Sequence, residues 1–165
     1  MHLTEFNSLS RTDALEAVRP VLDVPRWLEA VVDARPYSHR DALLGVGRTA
    51  AQPFTGEEIE RALFHHPRIG ERAQGENREA SFSRAEQAAV DPSDEEVQRR
   101  LREGNLAYEE RFGQVFLIRA AGRTPEEILE QLSARLRNDP ETERSVVADQ
   151  LRQIALLRLE GVITS

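Results

Sequence analysis

The sequence contains neither cysteine nor lysine, so all 22 basic residues are arginine. Without a thiol, the chain has no disulfide, no thiolate nucleophile and no thiolate ligand for zinc or an iron–sulfur cluster. Without lysine, it cannot form a Schiff base with a carbonyl substrate or hold pyridoxal phosphate as an internal aldimine. Any chemistry must therefore use histidine, carboxylates, arginine, hydroxyl groups or a metal ion.

Glycine and proline are also scarce, at nine and eight of 165 residues, whereas 31% of the residues are charged and 39% are apolar. This balance is typical of a globular, helical chain, and the length fits one domain spanning residues 1–165. The net charge of −7 disfavours nucleic acid as a partner, because phosphate binding requires a surplus of basic residues. No segment resembles a signal peptide or a membrane span, so we expect no membrane partner and a cytoplasmic location.

Helix-capping patterns predict an all-α fold of about seven or eight helices around one core. Only the stretch from Val115 to Ile118 could form a strand, and it has no strand partner in the sequence. The long helix before that stretch is expected to stop at Gly113. Predicted helix starts or caps are Thr12, Pro25, Ser38, Thr55, Ser83, Ser93, Thr124 and Asp139.

The most unusual segment runs Phe64-His65-His66-Pro67-Arg68-Ile69-Gly70-Glu71, at the predicted carboxyl end of a helix. Histidine titrates near neutrality, which suits it to proton transfer. Alternatively, the two imidazoles only favour the helix dipole and contact solvent. No metal site is predicted, because adjacent histidines rarely point at one ion and no third histidine lies nearby.

Two further charged residues each allow two interpretations. Glu86 follows Ser83 with capping-box spacing, so it either caps a helix or contributes a carboxylate to a site. Arg158 interrupts an apolar run, where it either reaches a carboxylate, a ligand or water, or extends its head group to solvent along the surface.

Several short motifs occur together and in order along the chain. They are Phe6-Asn7, Arg35-Pro36-Tyr37, His66-Pro67-Arg68-Ile69-Gly70, Ser83-x-x-Glu86-Gln87, Asn105-x-x-Tyr108-x-x-Arg111-Phe112-Gly113, Gly122-Arg123-Thr124, Arg135-Leu136-x-Asn138 and Leu157-Arg158-Leu159. With these motifs the chain resembles the 2-oxo-4-hydroxy-4-carboxy-5-ureidoimidazoline (OHCU) decarboxylase family. The resemblance covers nearly the whole chain, although Arg119 stands where an apolar residue is common in that family.

The resemblance implies an all-α homodimer that removes CO2 from OHCU to give (S)-allantoin, the last step of uric acid breakdown, with no metal or organic cofactor. It places catalytic roles on His66, Glu86 and Arg158. The substrate contacts that it implies fall on Pro67, Ser83, Arg84, Ala85 and Gln87, and on Phe116, Leu117, Ile118, Arg119 and Ala120.

The absence of lysine is compatible with this reaction, because the ring C=N of OHCU lies next to the carbon that loses CO2 and can accept the electron pair. Two alternatives stay open from the residues. One is an enzyme of the same fold that acts on a different imidazoline or ureide. The other is a non-catalytic helical interaction module, in which His66, Glu86 and Arg158 would not line one pocket.

Overall fold

A computed structural model describes residues 1–66, 68–69 and 94–165, and within these ranges the chain is α-helical with one isolated bridge between His2 and Thr164. The prediction of an all-α fold is confirmed. The described helices are α1 (Leu3–Ser8), α2 (Arg11–Val18), α3 (Pro25–Asp33), α4 (Arg40–Thr49), α5 (Gly56–Phe64), α6 (Glu95–Phe112), α7 (Pro125–Arg135) and α8 (Pro140–Val162). The helix start predicted at Ser83 lies outside the described residues.

Several helix boundaries follow the predicted caps. The Thr55 Oγ1 accepts from the Glu58 N–H at 3.2 Å, and Glu58 Oε1 accepts from the Thr55 N–H at 2.8 Å, which is a reciprocal capping box. Thr124 caps α7, and Asp139 accepts from the Thr142 N–H at the start of α8. That hydrogen bond holds the pKa of Asp139 below its ordinary value. Helix α6 ends at Gly113, whose φ of 68° is in the left-handed region.

Other boundaries differ from the prediction. The cap of α4 is His39 rather than Ser38, because the His39 imidazole Nδ1 accepts from the Ala42 N–H at 3.1 Å. The helix predicted to start at Thr12 and reach Leu22 is α2, which is capped by Ser10 and stops at Val18, just before Pro20 removes a backbone donor. Short helix α1 was not predicted. Helix α6 is capped by Asp94, one residue after the predicted Ser93.

The chain divides into two compact units, and the first comprises Met1–Ala62 with Leu151–Ser165. In this unit the Trp27 indole N–H donates to the Gly47 carbonyl at 2.9 Å. A Cβ at Gly47 would lie 3.2 Å from Leu159 Cδ2, so the small residue permits this packing. Large apolar residues buried in this unit include Phe6, Val18, Trp27, Val31, Leu43, Leu159 and Ile163.

Two of the family motifs pair with each other in the first unit. The side-chain amide of Asn7 both donates to and accepts from the Tyr37 backbone, each at 2.9 Å. Arg35 donates to the Phe6 carbonyl at 2.6 Å, and its guanidinium carbon lies 5.2 Å from the Phe6 ring centroid. These motif residues therefore hold α1 to the end of α3.

The second unit comprises Leu63–Gln150. Its described core joins one face of α6 and α7 to the non-helical segment between them. A Cβ added at Gly104 on α6 would lie 2.3 Å from Leu132 Cδ2 on α7, so the two helices approach closely there. The core residues are Ile69, Val97, Leu101, Tyr108, Phe116, Ile118, Ala120, Ile128, Leu129 and Leu132. No helix formed by described residues combines the length and apolarity needed to cross a bilayer.

Candidate active site

His66 lies just past the end of α5, where its backbone N–H donates to the Leu63 carbonyl at 3.0 Å and its side chain is half-buried. The chain that follows is tied to α6. The Arg68 guanidinium binds both carboxylate oxygens of Glu109, at 2.5 and 2.8 Å. The Asn105 amide donates to the Ile69 carbonyl at 3.0 Å. These contacts fix the backbone two and three residues beyond His66.

The segment Phe116–Ala120 is the second part of the candidate site. It is non-helical and mostly buried. The sequence predicted a short strand without a strand partner here, so the backbone of this segment needs support from other parts of the chain. The side chains of Phe116, Ile118 and Ala120 belong to the core of the second unit, with the alternation of an extended chain. The segment is therefore a backbone stretch whose polar groups must find partners outside secondary structure.

Side chains supply those partners at every second residue. The Leu117 carbonyl accepts from Arg135 at 2.6 Å, and the Arg119 N–H donates to the Gln150 side-chain oxygen at 2.8 Å. The Arg119 carbonyl accepts from the Arg123 Nε at 2.9 Å. Side chains thus engage the Leu117 carbonyl and both backbone groups of Arg119.

The backbone groups of Ile118, between those two anchors, have no hydrogen-bond partner among the described residues. Ile118 is only 7% exposed. Buried backbone donors and acceptors are nearly always paired, because leaving one unpaired costs roughly 1–3 kcal/mol. One N–H and one C=O from the same residue match a ligand with an adjacent acceptor and donor, such as an amide, lactam or ureide.

A buried ion pair supports this segment from below. Arg135 is 3% exposed and Glu143 is 1% exposed, and the Arg135 Nε donates to Glu143 Oε1 at 2.8 Å. The same carboxylate accepts from the Tyr108 hydroxyl at 2.6 Å and from the Asn138 amide at 3.0 Å. Burial, together with Glu143, raises the pKa of Tyr108, so the phenol stays a donor. The Arg135 guanidinium also lies 4.5 Å from the Phe116 ring centroid.

Arg158 lies on α8 in the first unit, where it is 3% exposed and its NH1 donates to the Pro20 carbonyl at 3.2 Å. The interpretation of Arg158 as a surface side chain reaching solvent is therefore wrong. Burial favours the other interpretation, in which the guanidinium serves a buried polar partner or a ligand.

The structure describes part of the predicted site. His66 and Phe116, Leu117, Ile118, Arg119 and Ala120 belong to the second unit, and Arg158 belongs to the first. The Arg119 Nε is buried and has no hydrogen-bond partner among the described residues. The predicted site residues Pro67, Ser83, Arg84, Ala85, Glu86 and Gln87 lie outside the described residues.

A separate cleft of about 330 Å³ opens beside Ile69 and along α6, and its lining includes neither His66 nor the segment Phe116–Ala120. Arg68, one of the two arginines described in its lining, forms an ion pair with Glu109. Nothing in the part of the chain that the structure describes brings three histidine or carboxylate side chains together as a metal site. Independence from cofactors and metals stays a prediction.

Comparison with known proteins identifies the family. A family model described as OHCU decarboxylase matches residues 7–160. The chain is 32% identical over 172 aligned residues to the 2-oxo-4-hydroxy-4-carboxy-5-ureidoimidazoline decarboxylase of Amia calva, covering 99% of this chain and 95% of that protein. It is 24% identical to a uric acid degradation bifunctional protein of Bacillus sp. (strain TB-90), covering 98% of this chain but only 32% of that protein.

Two crystal structures share the fold. An (S)-allantoin synthase superposes with a TM-score of 0.71 at 18% identity, over 100% of this chain and 54% of that chain. An OHCU decarboxylase in the presence of (S)-allantoin superposes with a TM-score of 0.65 at 23% identity, over 87% of this chain and 94% of that chain.

The fold and the family match together define an all-α carboxy-lyase of uric acid degradation. The chain belongs to the OHCU decarboxylase family. The resemblance seen in the sequence motifs is therefore confirmed.

Proposed function

We propose that this chain decarboxylates OHCU to (S)-allantoin, with His66 as the proton-transfer residue. The observation that carries the proposal is the buried Ile118 backbone, whose N–H and C=O have no hydrogen-bond partner among the described residues. OHCU is a cyclic ureide with a ureido substituent, so it presents the N–H and C=O groups that pair with such a backbone. The same residues fall within the substrate segment that the family resemblance implies.

The reaction needs orientation and proton handling more than an added electron sink. When the C–CO2 bond breaks, its electron pair forms a double bond to the neighbouring ring carbon, and the C=N pair moves to nitrogen. Protonation of that nitrogen, loss of the 4-hydroxyl proton and protonation of the carbon that bears the ureido group then give allantoin. His66 hydrogen-bonds the 4-hydroxyl and moves that proton. Ile118 fixes the ring, so that one face receives the new proton.

The remaining predicted roles belong to the same proposal. Glu86 orients the ureido N–H groups and the imidazole, and Ser83 with its neighbours fixes the ring. Arg158 is directed at the ring carbonyl rather than at the departing carboxylate. A cation on that carboxylate would stabilise the ground state more than the transition state, whereas one on the carbonyl follows the developing charge.

A homodimer in the cytoplasm completes the proposal. Its support is the sequence resemblance and two exposed apolar side chains of the second unit, Phe64 at 86% and Leu106 at 62%. Aromatic residues such as phenylalanine are enriched at protein interfaces. Light scattering after size exclusion should give twice the 18.7 kDa chain mass. The mass of a single chain would contradict the dimer.

Replacement of each histidine tests the catalytic assignment. His66→Ala should lower turnover of freshly generated OHCU by about 10²–10⁴-fold, the usual contribution of a lost acid or base. His65→Ala is the matched control, because His65 is exposed and adjacent. Ultraviolet absorbance follows the rate, and the spontaneous decay in buffer is subtracted. A larger loss in His65→Ala than in His66→Ala would contradict the assignment.

Removal of metal ions tests the cofactor prediction. Dialysis against a strong chelator should leave the rate unchanged, because the proposed steps use only protein side chains and the substrate's own C=N. A loss of activity that zinc or manganese restores would contradict the proposed mechanism.

A further inference from the structure

Two buried side chains hold the segment Phe116–Ala120. Neither has a role in the proposed mechanism. Arg135 on α7 contacts the Leu117 carbonyl, and Gln150 on α8 contacts the Arg119 N–H. Both side chains are buried, at 3% and 7% exposed. The two anchors flank Ile118, one residue away on each side.

Resting on the proposed function, we propose that Arg135 and Gln150 are positioning residues, which hold the Ile118 N–H and C=O as a donor–acceptor pair for the ureide group of the substrate. In an extended chain, neighbouring residues direct their backbone groups to opposite edges. Anchoring residues 117 and 119 through one edge therefore presents the groups of residue 118 on the other edge. The ligand class that pairs with them has an adjacent carbonyl and N–H.

The ion pair explains how Arg135 can serve this purpose. Glu143 accepts from the Arg135 Nε and NH2, so only the NH1 side of the guanidinium is directed at Leu117. Tyr108 and Asn138 complete the hydrogen bonds of the carboxylate, which fixes it in place. A buried ion pair contributes little net stability compared with an apolar pair of similar shape. The main effect of this ion pair is therefore to position the segment rather than to stabilise the fold.

The positions of the anchors restrict the ligand further. The Leu117 carbonyl and the Arg119 N–H and carbonyl already have side-chain partners, so these three groups are not available to a ligand. A small ligand with one amide-like edge is sufficient to pair with the two Ile118 groups.

Gln150 offers the cleaner test, because its replacement by methionine leaves no buried charge without a partner. Gln150→Met removes the acceptor for the Arg119 N–H at similar side-chain size, whereas Gln150→Glu keeps an acceptor at the same position. Gln131 is exposed on α7, so Gln131→Met is the matched control. We expect kcat/KM for OHCU to fall about tenfold in Gln150→Met, the effect of one weakened substrate hydrogen bond, and to stay within about twofold in the other two variants.

A direct measurement avoids dependence on the variants' folding. In ¹⁵N-labelled wild-type protein, the Ile118 amide resonance should shift as (S)-allantoin is added, and in Gln150→Met the allantoin affinity should be about tenfold weaker. An Ile118 resonance that stays in place at every allantoin concentration would overturn the proposal. Wild-type kcat/KM in Gln150→Met would also overturn it. Failure of the wild-type protein to act on OHCU instead contradicts the proposed function, so the two failures are distinguishable.

Discussion

Two irregular segments, one in each unit, have backbone carbonyls that accept hydrogen bonds from arginine side chains. The segments differ in which backbone groups have no partner among the described residues. In the first unit, Arg152 donates to the Ala50 and Ala51 carbonyls at 2.7 and 3.0 Å. Arg26 donates to the Pro53 carbonyl at 3.0 Å. The arginines thus engage most of the carbonyls of this bend, in which Ala51 has a φ of 53°.

In the second unit, Arg135 and Gln150 engage residues 117 and 119 and leave Ile118 between them. Backbone groups outside helices and strands need hydrogen-bond partners from side chains, and the first segment obtains them from arginines. The second segment satisfies this need only in part, because both backbone groups of Ile118 have no partner among the described residues. The segment proposed to bind substrate is therefore the one that keeps a buried residue without backbone partners among the described residues.

Replacing the arginine that supports each segment should give the largest difference between the two segments in the loss of unfolding free energy. Arg135→Leu should lower the free energy of unfolding by about 3–5 kcal/mol, because it leaves Glu143 buried without its cation. Arg152→Leu should cost about 1–2 kcal/mol, because the carbonyls that it releases lie nearer solvent and the contact with the Phe54 ring is lost. Urea unfolding measures both. Equal losses would contradict the contrast between the segments.

The helix packing under the second segment provides the next largest effect. Gly104→Ala should cost about 1–3 kcal/mol, because the new Cβ would collide with Leu132. Gly45 on α4 of the first unit is the matched control, because a Cβ there meets nothing within 4 Å. Gly45→Ala should stabilise by about 0.5–1 kcal/mol through helix propensity. Thermal unfolding should therefore move in opposite directions, and a stabilising Gly104→Ala would be incompatible with the close helix contact.

The smallest expected effect is pH-dependent stability near the first segment. Arg26 binds the Glu58 carboxylate at 2.7 and 2.8 Å and lowers the pKa of Glu58 from 4.5 to about 2. A lowered pKa in the folded state contributes stability above the ordinary pKa, and that stability is lost as the pH falls through about 2. Arg26→Gln should therefore slightly lower the free energy of unfolding near neutrality, because solvent screens this ion pair.

The difference between wild type and Arg26→Gln should narrow as the pH falls from about 4.5 towards about 2. Urea unfolding at a series of pH values measures that difference. Arg19→Gln is the control, because Arg19 forms an exposed pair with Glu16, three residues earlier in the chain. A difference for Arg26→Gln that widens in acid would contradict the assigned direction of the pKa shift.

Local sequence signals predicted the helices well, because a cap acts within four residues. The Thr55, Thr124 and Asp139 caps and the stop at Gly113 are all such local features. The error at the start of α4 also arose between neighbouring residues. His39, and not Ser38, accepts the backbone hydrogen bond there.

The support of the second segment depends on contacts between elements and was not predicted. A signal for it was nevertheless present. Arg135 follows Ile128 and Leu132 on the apolar face of α7, and Glu143 begins the face that continues with Val147 on α8. A charge on an apolar face requires a buried partner, which is the argument applied to Arg158. Two such charges of opposite sign on successive helices indicate an ion pair, and their contact with Leu117 requires the structure.

The stereochemistry of early product tests the central claim most directly. Spontaneous decarboxylation of OHCU proceeds without a chiral environment and gives both hands of allantoin, whereas a site that presents one face of the planar intermediate gives an excess of one hand. Chiral chromatography of allantoin, taken before the uncatalysed reaction contributes appreciably, should show an excess of the S form from the wild-type protein. Racemic allantoin, formed at the rate of the buffer blank, would contradict the assignment of this chain as an OHCU decarboxylase.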